Sequence, residues 1–206
     1  MSRAFHFVGC SPVLSRLIRR ADGGAQLVEF AVSLPLLVIF VVGIFDFSGA
    51  FTLKQKLTNI ARDAARTAAA DPADDLQSTQ PASVSDAFQM IRNYFSANQI
   101  NDCGVTLTSS PSGLTWTSSA SGNGCPSAGL TIIINRGYYF PSTGASLPSA
   151  SCAPQTPPNG QGALIGTCVS IQYAYRWQFG RAASLLGQST TLPSTIAGIG
   201  VALNEN

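Results

Sequence analysis

The sequence predicts an α+β protein: a long N-terminal helix apolar enough in its first half to cross a membrane, a short second helix, and a small antiparallel β-sheet head with disulfides. Three observations predict it. The stretch AQLVEFAVSLPLLVIFVVGIFDFSGAF, from Ala25 to Phe51, is the most hydrophobic in the chain, and a helical apolar period continues beyond it to Ala70. After Asn101 the texture changes to short β-type runs parted by Ser, Gly and Pro clusters. Four cysteines lie in that last part.

Composition narrows the function classes. Charged residues are only 11% of the 206, against 45% hydrophobic; such a low charged share fits a membrane segment or a Ser/Thr/Gly-rich exported domain. A formal charge of +2 excludes a strongly basic nucleic-acid binder. The single histidine, His6, sits near the N-terminus, which removes Ser-His, Cys-His and most metal chemistry from the rest of the chain. No cofactor and no catalytic residue is expected.

Residues 1–24 form a leader in which Arg3, Arg16, Arg19 and Arg20 face a single acid, Asp22. A basic flank before an apolar stretch is the pattern of an export signal or membrane anchor. From Ala25 to Phe45 the helix would cover roughly 32 Å, enough for a bilayer core of ~30 Å. We therefore read 25–51 as a transmembrane helix. Residues 52–71 extend it: Leu53, Leu57, Ile60, Ala61, Ala64 and Ala68 share one face. Asp71-Pro72 stops it, because the residue before a proline is pushed out of helical space. The rod from Ala25 to Ala70 would be roughly 70 Å long, which suits an anchor that carries a head.

Residues 72–82 read as a linker and 83–206 as the head. Val84, Phe88, Ile91 and Phe95 form an apolar stripe on a short helix from Val84 to about Ala97. Val105–Thr108, Leu130–Asn135 and Cys168–Phe179 are strand-like. The last alternates cleanly, with Val169, Ile171, Tyr173, Tyr175 and Trp177 on one face. Thr195–Leu203 is strand-compatible, although its glycines weaken the pattern.

Cys10 precedes the apolar stretch, while Cys103, Cys125, Cys152 and Cys168 follow it. Four cysteines allow three connectivities, which sequence does not separate. The sequential pairing, Cys103 with Cys125 and Cys152 with Cys168, is expected because each bond would staple one loop-rich excursion. Zinc is the poorer reading, with no CxxC spacing and no histidine in this part. An even cysteine number beyond a membrane segment argues for an oxidising compartment, and so for a head outside the cytoplasm.

The boundary motif is Gly23-Gly24-Ala25-Gln26-Leu27-Val28-Glu29-Phe30. A carboxylate within a lipid-facing helix costs on the order of 2.5–3.5 kcal/mol, so Glu29 either snorkels to the headgroups or has a partner. A glycine, four residues and then Glu-Phe resembles the processing site of type IV prepilins, especially the Flp/Tad branch. The wider segment resembles TadE-like pseudopilins through Arg19-Arg20, Val28-Glu29-Phe30-Ala31, Leu34-Pro35-Leu36-Leu37, Gly43-Ile44-Phe45-Asp46-Phe47 and Ala61-Arg62-Asp63-Ala64-Ala65-Arg66.

The resemblance implies cleavage between Gly24 and Ala25 by a membrane prepilin peptidase, with Glu29 the assembly carboxylate and Phe30 the motif aromatic. Glu29 would then pair with the N-terminal amine of a neighbouring subunit; a buried carboxylate is tolerable beside a buried cation. Pro35 would kink the helix by deleting a backbone donor, and Asp46 would reach the far interface. The implied partners are the lipid bilayer, other pilin and pseudopilin subunits and the inner-membrane assembly platform, with no nucleic acid. The implied role is a minor pseudopilin that primes or supports assembly of an adhesive pilus from the inner membrane, its head in the periplasm. Major Flp pilins have almost no head, so the long C-terminal part favours a minor subunit.

The alternative is a membrane-anchored or secreted periplasmic binding or adhesin domain. Cleavage after Ala50, at the small-x-small Ser48-Gly49-Ala50, would release a soluble head, and Trp116, Trp177, Tyr138 and Tyr139 would be its stacking candidates. A lipobox reading of Phe7-Val8-Gly9-Cys10 lacks an apolar stretch before the cysteine. A carboxylate-pair enzyme would have to draw on Asp71, Asp74, Asp75, Asp86, Asp102 and Glu205, of which Asp74 and Asp75 read more simply as a solvated linker end.

Overall fold

In a computed structural model, residues 12–108, 111–126, 128–140, 152–153, 164–180 and 192–205 are described. His6 and Cys10 lie outside these residues. Among the described residues six elements follow in order: α1 (Pro12–Ala70), α2 (Ala82–Ala97), β1 (Thr115–Ala120), β2 (Leu130–Phe140), β3 (Leu164–Ala174) and β4 (Thr195–Leu203). The long apolar helix, the short second helix, the antiparallel sheet and two disulfides are those the sequence predicts.

Helix α1 is one element of 59 residues and runs on through Pro35. Its second half carries the core-facing residues. Leu57, Ile60, Ala61, Ala64, Ala65, Ala68 and Ala69 are buried at helical spacing, and most are alanine, so the neighbouring elements approach its backbone closely. Helix α2 lies against α1 and buries the expected stripe of Val84, Phe88, Ile91 and Phe95, together with Ser83 and Ala87. Pro81 precedes α2 without a side-chain cap. The Asp75 carboxylate instead accepts from the Ala82 N–H, satisfying one of the orphan donors of that helix end.

The sheet is a four-stranded antiparallel meander in the order β1-β2-β3-β4. Ile132 and Ile134 of β2 and Val169 and Ile171 of β3 join the helices in the main core. Ile133, Tyr138, Cys168, Ile199 and Val201 gather in a second cluster with Cys152. Strand alternation thus gives the sheet two apolar faces. The Cys152–Cys168 disulfide staples a segment onto the second face, where the Asn135 amide donates to the carbonyls of Cys152 and Ala153 at 3.2 Å each. The Cys103–Cys125 disulfide closes the loops between α2 and β2. This is the sequential pairing.

Two strand expectations are corrected. Val105–Thr108 is irregular and not a strand: Val105 tucks into the core, while the Thr108 N–H is taken by the Ser118 hydroxyl at 3.0 Å instead of by a strand ladder. The run Cys168–Phe179 leaves the sheet after Ala174, because the residues that follow turn down onto α1. Helix α2 also begins two residues before the expected Val84. Opening either disulfide is expected to cost about 3 kcal/mol through restored chain entropy, for loops of 22 and 16 residues. Reductant should therefore lower the Tm of the full chain in detergent, and an unchanged Tm would show that the bonds constrain little.

Candidate functional site: the bare helix and its junction with the head

Helix α1 divides sharply at Gly43. From Gly24 to Val41 its residues are exposed apart from a half-buried Ile39. Leu27 is 72% accessible and Phe45, just beyond, 75%. From Gly43 onward the head covers one side. A soluble protein rarely exposes so long an apolar surface; among the described residues this is the one helix long and apolar enough to cross a membrane, with a mean hydropathy of 2.6 in its most apolar window. It fits a single-pass membrane anchor.

The motif residues fall on this bare portion. Gly24, Ala25, Val28, Glu29, Val32, Ser33 and Leu36 border one shallow, mostly apolar surface, so Glu29 shares a helix face with the Gly24-Ala25 bond. The Ser33 hydroxyl is turned back to the Phe30 carbonyl at 3.2 Å, and Phe30 and Pro35 are exposed. The Glu29 carboxylate stands on an apolar surface away from the head.

The junction is built around Asp46, which is only 7% exposed. Its carboxylate accepts from the Tyr175 hydroxyl at 3.1 Å and from the Phe179 backbone N–H at 2.8 Å. The same hydroxyl also lies 3.1 Å from the Asp46 carbonyl. Two glycines make room for the approach. A Cβ at Gly43 would stand 3.0 Å from the Phe179 ring, and one at Gly49 3.0 Å from the Tyr175 hydroxyl. Phe47 packs on Trp177, with ring centroids 5.2 Å apart, and on Phe179 at 6.0 Å, while Tyr175 meets Trp177 edge-on at 4.9 Å. Burial, reinforced by the bond to Asp46 and its charge, holds the Tyr175 phenol above its ordinary pKa of 10.0, so the hydroxyl remains a donor at physiological pH.

Residues 24–66 match the family model of the TadE-like proteins. The matched region is about a fifth of the chain and lies wholly on α1, running from the glycine of the boundary motif through the Asp46 junction to the alanine-faced stalk. It relates this helix to proteins of tight-adherence pilus systems. The chain matches no curated protein sequence and no solved structure.

Within the TadE-like region the sequence motif led to Gly24, Ala25, Glu29, Phe30 and Pro35, but not to the clasp at Asp46. The available signal was an acid flanked by phenylalanines at the end of an uncharged run. Its partners Tyr175 and Phe179 come from a segment far along the chain. Arg136 was also missed. It is a lone cation inside the apolar run Ile132-Ile133-Ile134-Asn135-Arg136, and is 1% exposed.

Proposed function

We propose that the chain is a minor pseudopilin of a bacterial tight-adherence pilus system, cut by a prepilin peptidase between Gly24 and Ala25, anchored in the inner membrane and carrying its head in the periplasm. The observation that supports this most is the division of a single helix at Gly43, with a bare apolar half ahead of it and a half packed into the head behind it. A pilin-like subunit needs both: the bare half sits in lipid before assembly and among neighbouring helices afterwards. Glu29 fits that exchange, because a carboxylate costly in lipid becomes a registration point once a neighbour's N-terminal amine meets it. The subunit acts by packing and pairing, with no reaction of its own.

The test is the N-terminal sequence and intact mass of the protein from native membranes. A chain beginning at Ala25 is the expected result; one beginning at Met1 or Phe51 sinks the reading. Glu29→Ala should insert normally yet fail to support piliation, scored by counting filaments on cells of the mutant strain. Wild-type filament numbers would remove the role given to Glu29.

A further inference from the structure

The segment after β3 leaves the sheet and reaches down α1 to the last turn before the bare helix. Among the described residues its contact furthest towards the bare end of the helix is the Phe179 ring over Gly43, one turn before Asp46. Trp177 lies half-buried beside Phe47, its indole N–H donating to the Pro193 carbonyl at 2.6 Å, and Arg176, between Tyr175 and Trp177 in sequence, is exposed. The bare stretch that ends here, Ala25–Val42, covers roughly 27 Å at ~1.5 Å per residue, close to the ~30 Å thickness of the hydrocarbon core. The hook therefore falls where hydrocarbon gives way to headgroups. Aromatic residues with an apolar body and a polar edge concentrate at that depth, and an exposed arginine beside them complements lipid phosphate.

We propose that the hook Tyr175–Phe179, clasped to α1 by Asp46, is a membrane-docking surface that seats the head directly on the phospholipid headgroup layer. The inference rests on the membrane-anchor reading of α1 and adds that the head does not stand clear of the bilayer on its stalk. Asp46 is a positioning residue: it holds Tyr175 and the Phe179 backbone against the helix, so that Trp177 and Arg176 meet lipid at a fixed height. Without the clasp the anchor would still span and the head would stay packed on α1 through β4, but the hook would be free to lift from the helix and from the lipid.

Tryptophan quenching in vesicles tests this, because the chain has two tryptophans and only Trp177 is at the junction. Trp116 is 1% exposed in the core and donates to the Thr79 carbonyl. The full chain is reconstituted in phosphatidylcholine–phosphatidylglycerol vesicles carrying a spin label either near the headgroups or at the acyl-chain end. The shallow label should quench the wild-type emission more strongly than the deep one. Trp177→Phe should lose the quenched component, and Asp46→Ala should weaken quenching while the Trp116 emission stays that of a folded core. Three results would overturn the proposal: equal quenching of Trp177→Phe and wild type, undiminished quenching of folded Asp46→Ala, or an unquenched wild type that still resists alkaline carbonate extraction. The last would leave the anchor reading intact and place a protein neighbour or water against the hook. Release of the wild type by carbonate would bring down the anchor reading as well.

Discussion

Replacing Arg136 with methionine is expected to remove about 2–6 kcal/mol of stability, at ~1–3 kcal/mol for each of two helix-end carbonyls left buried without a donor. The reason lies in how α1 ends. The last carbonyls of a helix lack intrahelical partners and carry the negative end of its dipole, yet α1 has no basic residue in its last turn. The cation is supplied from the sheet. Arg136 sits where the β2–β3 register shifts, between Asn135 and Tyr138, and its guanidinium donates to the Ala68 carbonyl and to the Asp71 carbonyl at 3.0 Å. It also donates to the Thr167 hydroxyl at 3.0 Å and the Asn204 side-chain oxygen at 3.3 Å. One side chain thus ties the end of the stalk to β2, β3 and the segment after β4.

Burial pulls the Arg136 pKa below its ordinary value, opposed by the nearby charges of Asp71 and Asp75; an arginine so placed remains charged. Methionine would keep much of the volume but strand the Ala68 and Asp71 carbonyls, while the Asn204 side-chain oxygen would still accept from the Thr167 hydroxyl at 2.7 Å. Lysine would keep the charge without the fork and should fall between. Thermal unfolding of the full chain in detergent checks this, and a wild-type Tm for Arg136→Met would refute the capping role.

The same contact shows where sequence reasoning stops. Elements that bury one face against a neighbour advertise it by period, and so α1, α2 and β3 were legible from the spacing of Leu57, Ile60 and Ala64, of Val84, Phe88 and Ile91, and of Val169, Ile171 and Tyr173. Strand β2 was legible from its apolar run at Leu130–Asn135, and β4 only weakly, because of its glycines. Strand β1 was not, because TWTSSA buries Trp116 and Ser118 but carries little apolar signal. Val105–Thr108 has strand composition but no ladder, since composition does not reveal whether an edge is available. Tyr175 and Trp177 kept the alternation of β3 while leaving the sheet, because their partners are on a helix. The boundary motif at Gly24–Phe30 was legible because it is contiguous. The Asp46 clasp and the Arg136 cap were not, because each joins residues more than sixty positions apart.

The glycines that weakened β4 as a strand are what let it pack. Gly198 and Gly200 both face α1. A Cβ at Gly200 would stand 2.3 Å from the Ala61 carbonyl carbon and oxygen and from the Arg62 nitrogen, and a Cβ at Gly198 would stand 2.3 Å from the Leu57 carbonyl carbon. These are backbone atoms of a regular helix, which cannot swing aside as a flexible side chain can. The sheet-to-stalk spacing is therefore set by the missing side chains on β4 and by the alanines opposite them. Ordinary overpacking costs about 1–3 kcal/mol when neighbours can repack. Here the whole strand must lift, so Gly200→Val is expected to exceed about 4 kcal/mol, the exceptional end of single-substitution effects.

The consequence is local in a telling way. Strand β4 makes most of the contact between sheet and stalk, so the variant should free the head from α1 while the disulfides still hold the head's own loops. Lys54, Arg62 and Arg66 are already exposed beside β4 and Lys56 is half-buried, but trypsin needs the local backbone to open before it can cut, and the packed head holds this part of the helix closed. Limited proteolysis of the full chain in detergent should show rapid stalk cleavage in Gly200→Val and slow cleavage in wild type. Equal rates would mean that the strand and helix can part without cost, and that the glycines are not what seats the head.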